Sequence, residues 1–357
     1  MNIKNAMIKG ELKNLVIKDG VIQKITSTPV DDAFDAEGNR VIPGMIDVHT
    51  HGMGGEGVMD GRFDILNRVY AEHGTTSYLA TTSSLGLDII HYANDQRTDY
   101  PGAHVLGFHM EGPYLSVEYK GGMIEKYLRK PSIDEFKTFH DVKMITVAPE
   151  IEGGMDFIRE VSKEVKVAIG HTAADYETAL EAIDAGASNL THTYNAMPPF
   201  LKRAPGPVGA ALMKGIHCQL IADGYHVQAP VIIATYRMIG PDRIMLISDS
   251  VEEAGLPDGV YVNETREKTK IVKDHHICLP SGTISGCWNY LFENMRNCVR
   301  IGIPFEDAVK MATQTPADFL GVKKGRVEEG YDADLLIIND EMELLTTIIS
   351  GEVFYQK

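Results

Sequence analysis

The chain has 357 residues, 44% of them hydrophobic and 24% charged, with a formal net charge of −16. That length and apolar content suit one large domain with a small companion. The acidity argues against nucleic acid or an anionic membrane surface as a partner, since both call for a basic face. The cysteines Cys218, Cys278, Cys287 and Cys298 have no CxxC spacing and read as reduced thiols. No signal-peptide core occupies Met1 to Gly10, and no apolar run nears the roughly 20 residues of a membrane span. The expected location is cytoplasmic.

In chain order, the first forty residues read as short strands and turns. Asn14–Ile25 holds two apolar runs around Asp19-Gly20, a hairpin signal. Near the other end, Ala333–Ile338 and Thr346–Phe354 read as β structure too. Neither end can close a core alone, so 1–43 and 324–357 are expected to pair into one small β-sandwich-like domain. Over 44–323 the pattern alternates between strand and helix. The strand segments are Gly44–His51, Thr75–Thr82, His104–Glu111, Met144–Glu150, Val165–His171, Ala187–His192, Gln219–Asp223 and Arg243–Asp249. Helical stretches include Asp60–His73, Met155–Val165, Tyr176–Ala185 and Pro230–Ile239. This order predicts a parallel (β/α)8 TIM barrel. The rival is a doubly wound open sheet, but no GxGxxG follows the first strand.

Metal-capable side chains cluster at the C-terminal ends of these strands, the rim on which barrels of this type build active sites. His49 and His51 end the first strand two residues apart, so both project to one side. Glu111 ends the third, His171 the fifth and His192 the sixth. Asp249 ends the eighth, where an acid closing an apolar strand must be exposed, paired or working. Each has a plain explanation in packing or solvation; together they form a constellation of nitrogen and oxygen donors suited to zinc or iron, or to manganese or cobalt. His109 shares the face of Glu111 and is either a support for the site or a core histidine. His73, His91, His140, His217, His275 and His276 lie in contexts that do not suggest ligands.

With those residues in view, the chain resembles the N-acetylglucosamine-6-phosphate deacetylases of the amidohydrolase superfamily over nearly its whole length. The resemblance rests on Pro43-Gly-Met-Ile-Asp-Val-His-Thr-His-Gly52, His109-Met-Glu-Gly-Pro113, Gly170-His-Thr172, Thr191-His-Thr-Tyr-Asn-Ala-Met197, Asp223-Gly-Tyr-His226 and Ser248-Asp249. It implies that Glu111, His171 and His192 hold a primary divalent metal. It implies that His49 and His51 hold a second, with Glu111 able to bridge, so one or two ions per chain are expected. Asp249 is implied as general base and acid, near or on the metal. Asn195 and Ala196 are implied as substrate contacts, His226 and Arg203 as ligands of a 6-phosphate, and Ile284, Ser285 and Gly286 as the sugar pocket. The arginine is expected to reach in from a neighbouring subunit of a homodimer.

The match breaks most clearly in the loop after Glu111. The family usually has a histidine after a Lys-Gly pair, contacting substrate near the scissile amide. Here Lys120-Gly-Gly-Met123 places Gly122 and Met123 at that contact, and methionine cannot donate a hydrogen bond to a carbonyl. Ala204 replaces an expected acid beside Arg203, and Trp288 reads as core packing or as an altered sugar pocket. The leading expectation is therefore deacetylation of N-acetylglucosamine-6-phosphate. The alternatives are another acyl-amine, such as N-acetylgalactosamine-6-phosphate, and a non-catalytic sugar-phosphate sensor. The complete ligand set and Asp249 argue against the sensor.

Overall fold

The computed structural model describes residues 1–264 and 266–357. Eight strands form one parallel sheet in chain order: β1 (Met45–Thr50), β2 (Thr75–Thr82), β3 (His104–Glu111), β4 (Val142–Val147), β5 (Lys166–Ile169), β6 (Ala187–Leu190), β7 (His217–Ile221) and β8 (Ile244–Ile247). Every pairing is parallel. The two edges meet through the chain that follows β8: the Asp249 N–H donates to the His49 carbonyl at 2.9 Å. The buried carboxylate of Asp47 also accepts the Ser248 N–H at 3.3 Å. The sheet is therefore a TIM barrel, as expected, and not the open doubly wound alternative.

Inside the barrel, Ile46, Val48, Leu79, Met144, Ala168, Ile221, Met245 and Ile247 fill the space as one buried cluster. A second cluster lies between the strands and the surrounding helices. The helices form for local reasons as well as tertiary ones. Gly154–Val161 buries Phe157, Ile158 and Val161 along one stripe. The Asp175 carboxylate caps Tyr176–Asp184 by accepting the Thr178 N–H at 2.8 Å.

Strands from the two chain ends form a separate eight-stranded sheet, joined where Leu335–Ile338 runs antiparallel to Arg40–Pro43. It encloses its own core, which includes Ile3, Leu15, Ile22, Val41, Leu335 and Ile348. The predicted hairpin pairs Lys18 with Val21 across Asp19-Gly20, and both turn residues have positive φ, +51° and +75°. This is the turn geometry that matches strand twist. We propose to divide the chain after 43 and after 323; both points fall between regular elements.

Two features were not expected. Between β8 and the helix Leu291–Arg300 stands a four-stranded antiparallel sheet, made of Gly259–Asn263, Lys268–Lys273, His276–Cys278 and Ile284–Cys287. In addition, β5, β6 and β8 stop two residues short of His171, His192 and Asp249. Among the described residues, no helix is long and apolar enough to cross a membrane. The four cysteines are free.

Candidate metal centre

The early strand ends come from backbone conformation. His171, His192 and Asp249 have φ of +46°, +27° and +51°, a region that non-glycine residues rarely adopt. Three such residues around one barrel mouth are characteristic of a site where surrounding structure holds the chain in a strained form. The turn swings each side chain inward over the rim.

Glu111 stands at the centre of what they meet. Its Oε1 lies 3.3 Å from His49 Nε2, 3.2 Å from His171 Nε2 and 3.0 Å from His192 Nε2. Its Oε2 lies 3.1 Å from His51 Nε2. Asp249 Oδ1 is 3.3 Å from His49 Nε2 and 3.5 Å from His51 Nε2. The six residues are each 8% exposed or less. Their donor atoms fall into two groups, His49/His51/Asp249 and Glu111/His171/His192, each with its atoms within 4.8 Å of one another.

The orientation of the imidazoles fits a metal. His49 Nδ1 faces Gln219 Oε1 at 2.8 Å, His51 Nδ1 faces the Thr81 carbonyl at 3.2 Å, and His171 Nδ1 faces the Tyr119 carbonyl at 2.9 Å. Each partner is an acceptor, so Nδ1 carries the proton and Nε2 turns its lone pair to the centre. Ligating histidines are commonly fixed in this way. His171 Nε2 and His192 Nε2 are then 3.0 Å apart, and those of His49 and His51 3.2 Å apart. Two lone pairs as close as those of His49 and His51 need positive charge between them. Burial opposes a charge on His49, yet Glu111 and Asp249 outweigh it and raise its pKa to about 9. Burial likewise works to raise the pKa of Asp249, but His49 and His51 bring it down to about 2. Donors of this kind suit a divalent transition metal.

His109 turns out to be a satisfied core histidine that also braces the site. Its two ring nitrogens meet the Val48 carbonyl at 3.1 Å and Thr146 Oγ1 at 2.8 Å, while its ring stands edge-on to His49 at 4.6 Å. Gln219 escaped the sequence reading as a support. It is held in place by donating to Asn189 Oδ1 at 3.0 Å, and its position inside β7 was the available signal.

Around this centre lies a cavity of about 280 Å³. Gly122, Met123, Asn195, Ala196, His226 and Ile284 to Gly286 all line it. His49 is fully buried and not part of the wall. Arg203 is not in the wall either; it sits exposed in the Leu201–Ala204 loop. Trp288 stays out of the cavity, donating to the Leu256 carbonyl at 2.9 Å and stacking on His275. His226 is oriented by Asp223, whose carboxylate faces its Nδ1 at 2.6 Å and accepts its backbone N–H. Burial disfavours the imidazolium, but Asp223 outweighs burial and the pKa rises. A cationic donor with one nitrogen already engaged is what an anionic substrate group needs.

Gly121 has φ +54°, and a Cβ there would meet His171 Cε1 at 3.3 Å. Gly121→Ala is therefore expected to strain the loop and press on a ligand. Chelator titration should show metal retention weakened about 10-fold or more, in line with losses of ligand support.

Sequence reading also missed the row Arg266, Lys268 and Lys270 together with Glu252, all in the cavity wall. The alternation of cations at every second residue was its visible sign.

Comparison with known proteins gives one consistent answer. The amidohydrolase family profile matches residues 40–354. The chain is 32% identical to N-acetylglucosamine-6-phosphate deacetylase of Bacillus subtilis (strain 168), over 95% of this chain and 92% of the relative. It is 33% identical to N-acetylgalactosamine-6-phosphate deacetylase of Escherichia coli O157:H7, over 95% and 94%. Among solved structures, a mutant N-acetyl-D-glucosamine-6-phosphate deacetylase from Mycobacterium smegmatis, in complex with N-acetyl-D-glucosamine-6-phosphate, superposes with a TM-score of 0.91 at 26% identity, covering 100% of this chain and 99% of that one.

Proposed function

The chain belongs to the amidohydrolase family, and from that premise we propose that it hydrolyses the acetamide of N-acetylglucosamine-6-phosphate to glucosamine-6-phosphate and acetate. The observation that carries this reading is that Asp249, set against the histidine-rich centre, and His226 line one cavity. Glu111, His171 and His192 hold one divalent ion in this reading, and His49 and His51 a second, with zinc the expected metal and iron, manganese or cobalt the others. A bound divalent ion supplies Lewis acidity, lowering the pKa of a water and polarising the acyl carbonyl.

The protein's own residues supply the rest. Asp249, ionised, accepts the proton of the attacking water and returns it to the departing nitrogen, because an amine leaves poorly unless protonated. His226 takes the phosphate, Asn195 and Ala196 orient the sugar, and Ile284 to Gly286 close over it. Arg203 completes the phosphate site of a neighbouring copy. Phe200 and Leu201 beside it, and Met213 nearby in sequence, are 43%, 54% and 72% exposed, which suits a homodimer contact. Free, mostly buried thiols fit a cytoplasmic enzyme.

A second substrate is favoured by one observation: Met123 borders the cavity where a donor is expected, so N-acetylgalactosamine-6-phosphate is the alternative. Acetate release from N-acetylated hexosamines, with and without a 6-phosphate, tests both. The expected result is far faster turnover with the 6-phosphate than without it, with Arg203→Ala raising KM for the phosphorylated sugar and leaving the slow turnover of unphosphorylated sugars unaffected. Equal turnover without the phosphate sinks the assignment of His226 and Arg203.

A further inference from the structure

The inserted sheet brings a cation to the cavity that the reaction as described leaves unused. Lys268 and Lys270 occupy alternate positions of one strand, so their side chains share one face; Arg266 stands in the turn before it, and all three border the cavity. Two of them are committed. Arg266 Nη1 pairs with Glu252 at 3.0 Å and Nη2 with Asp60 at 2.5 Å. Lys270 pairs with Glu252 at 3.1 Å and Glu253 at 2.8 Å. Lys268, half-buried between them in sequence, has no carboxylate partner and no side-chain hydrogen bond among the described residues. Its neighbours have already taken the nearby acids. Burial, helped by Lys270, pushes its pKa down to about 8, and the fields of Glu252 and Glu111 reach it.

Its position around the ring is informative. Glu252 follows β8, Asp60 follows β1, and Ser83 and Leu85 in the same cavity wall follow β2. Asn195 and His226 follow β6 and β7. The acids that hold the row thus stand on the β8–β1 side of the mouth, where Asp249 also stands, and a substrate held by His226 and Asn195 and reacting beside Asp249 lies in the same cavity that Lys268 borders. The loop that would otherwise supply a donor to its acyl end carries Gly122 and Met123, neither with a polar side chain.

We infer that Lys268 is a catalytic residue whose ammonium donates a hydrogen bond to the acyl oxygen of the bound amide and stabilises the negative charge that develops there. This rests on the deacetylase reading. Removing a single donor to a developing oxyanion typically lowers kcat about 10²–10³-fold. The test is Lys268→Met and Lys268→Arg, assayed on the metal-loaded protein against N-acetyl- and N-trifluoroacetyl-glucosamine-6-phosphate. Metal content and circular dichroism are checked in parallel.

Lys268→Met is expected to lose about 100-fold in kcat on the acetyl substrate. It should lose much less on the trifluoroacetyl substrate, whose carbonyl is already electron-poor, while Lys268→Arg keeps part of the activity. A loss confined to KM, an equal loss on both substrates, or turnover within about 3-fold of wild type overturns the assignment. If Lys268→Met loses metal or fold, the acetyl-to-trifluoroacetyl ratio of Lys268→Arg decides instead: a ratio unchanged from wild type overturns the assignment, and a shifted one supports it. Wild-type acetate release separates the two levels. Its absence overturns the deacetylase reading and this inference together, whereas wild-type turnover with an unimpaired Lys268→Met overturns only the role of Lys268.

Discussion

Asp249→Asn is expected to bind substrate nearly as the parent does and to lose about 10²–10⁴-fold in kcat, the range that general acid–base catalysis supplies. Asparagine keeps the volume and one oxygen of the carboxylate but cannot hold a proton in transit. The backbone should tolerate it, because asparagine is among the few side chains at ease at a φ of +51°. The Asp249 N–H donates to the His49 carbonyl, and that bond does not depend on the side chain. The decisive measurement is the split between kcat and binding affinity, by steady-state kinetics and calorimetry on the same preparation. Elemental analysis is needed beside it, since Asp249 also stands with His49 and His51 and its loss can loosen an ion there. A variant that keeps its metal and binds substrate yet turns over near the parental rate would remove Asp249 from the role of base and acid.

Most of the site was visible in the sequence because barrel enzymes place chemistry at strand ends, and strand ends can be read from where apolar runs stop. His49, Glu111, His171, His192 and Asp249 were each found in that way. Hydrophobic pattern does not register the left-handed turns at His171, His192 and Asp249, so the strands were expected to run two residues too far. The inserted sheet was missed for a related reason. Its first strand, Gly259–Asn263, exposes Val260 and Val262 and gives no buried apolar face to detect. Arg266 and Lys270 look like ordinary surface cations until Glu252 and Glu253, more than a dozen residues earlier, are folded against them. Ion pairs across a fold leave no local trace in the chain.

Removing the metal is expected to abolish activity and lower thermal stability together, and the ligand variants should do so in a graded order that Glu111 dictates. Its two oxygens face His49, His171 and His192 on one side and His51 on the other. Deleting this carboxylate takes a donor from the Glu111/His171/His192 group and leaves the buried imidazoles of both groups without the anion that faces them. Glu111→Ala should therefore hold no transition metal after dialysis. His49→Ala or His51→Ala should hold at least one ion, because Glu111, His171 and His192 remain intact. An ion that binds only the folded chain adds about 2.7 kcal/mol of stability at 100 times its Kd. Dialysis against a chelator should accordingly lower Tm by several degrees, and adding back zinc should restore both Tm and turnover. Elemental analysis decides the count. Equal metal content in Glu111→Ala and His49→Ala would show that the carboxylate is not the shared element. Full activity in the metal-free protein would sink the amidohydrolase mechanism altogether.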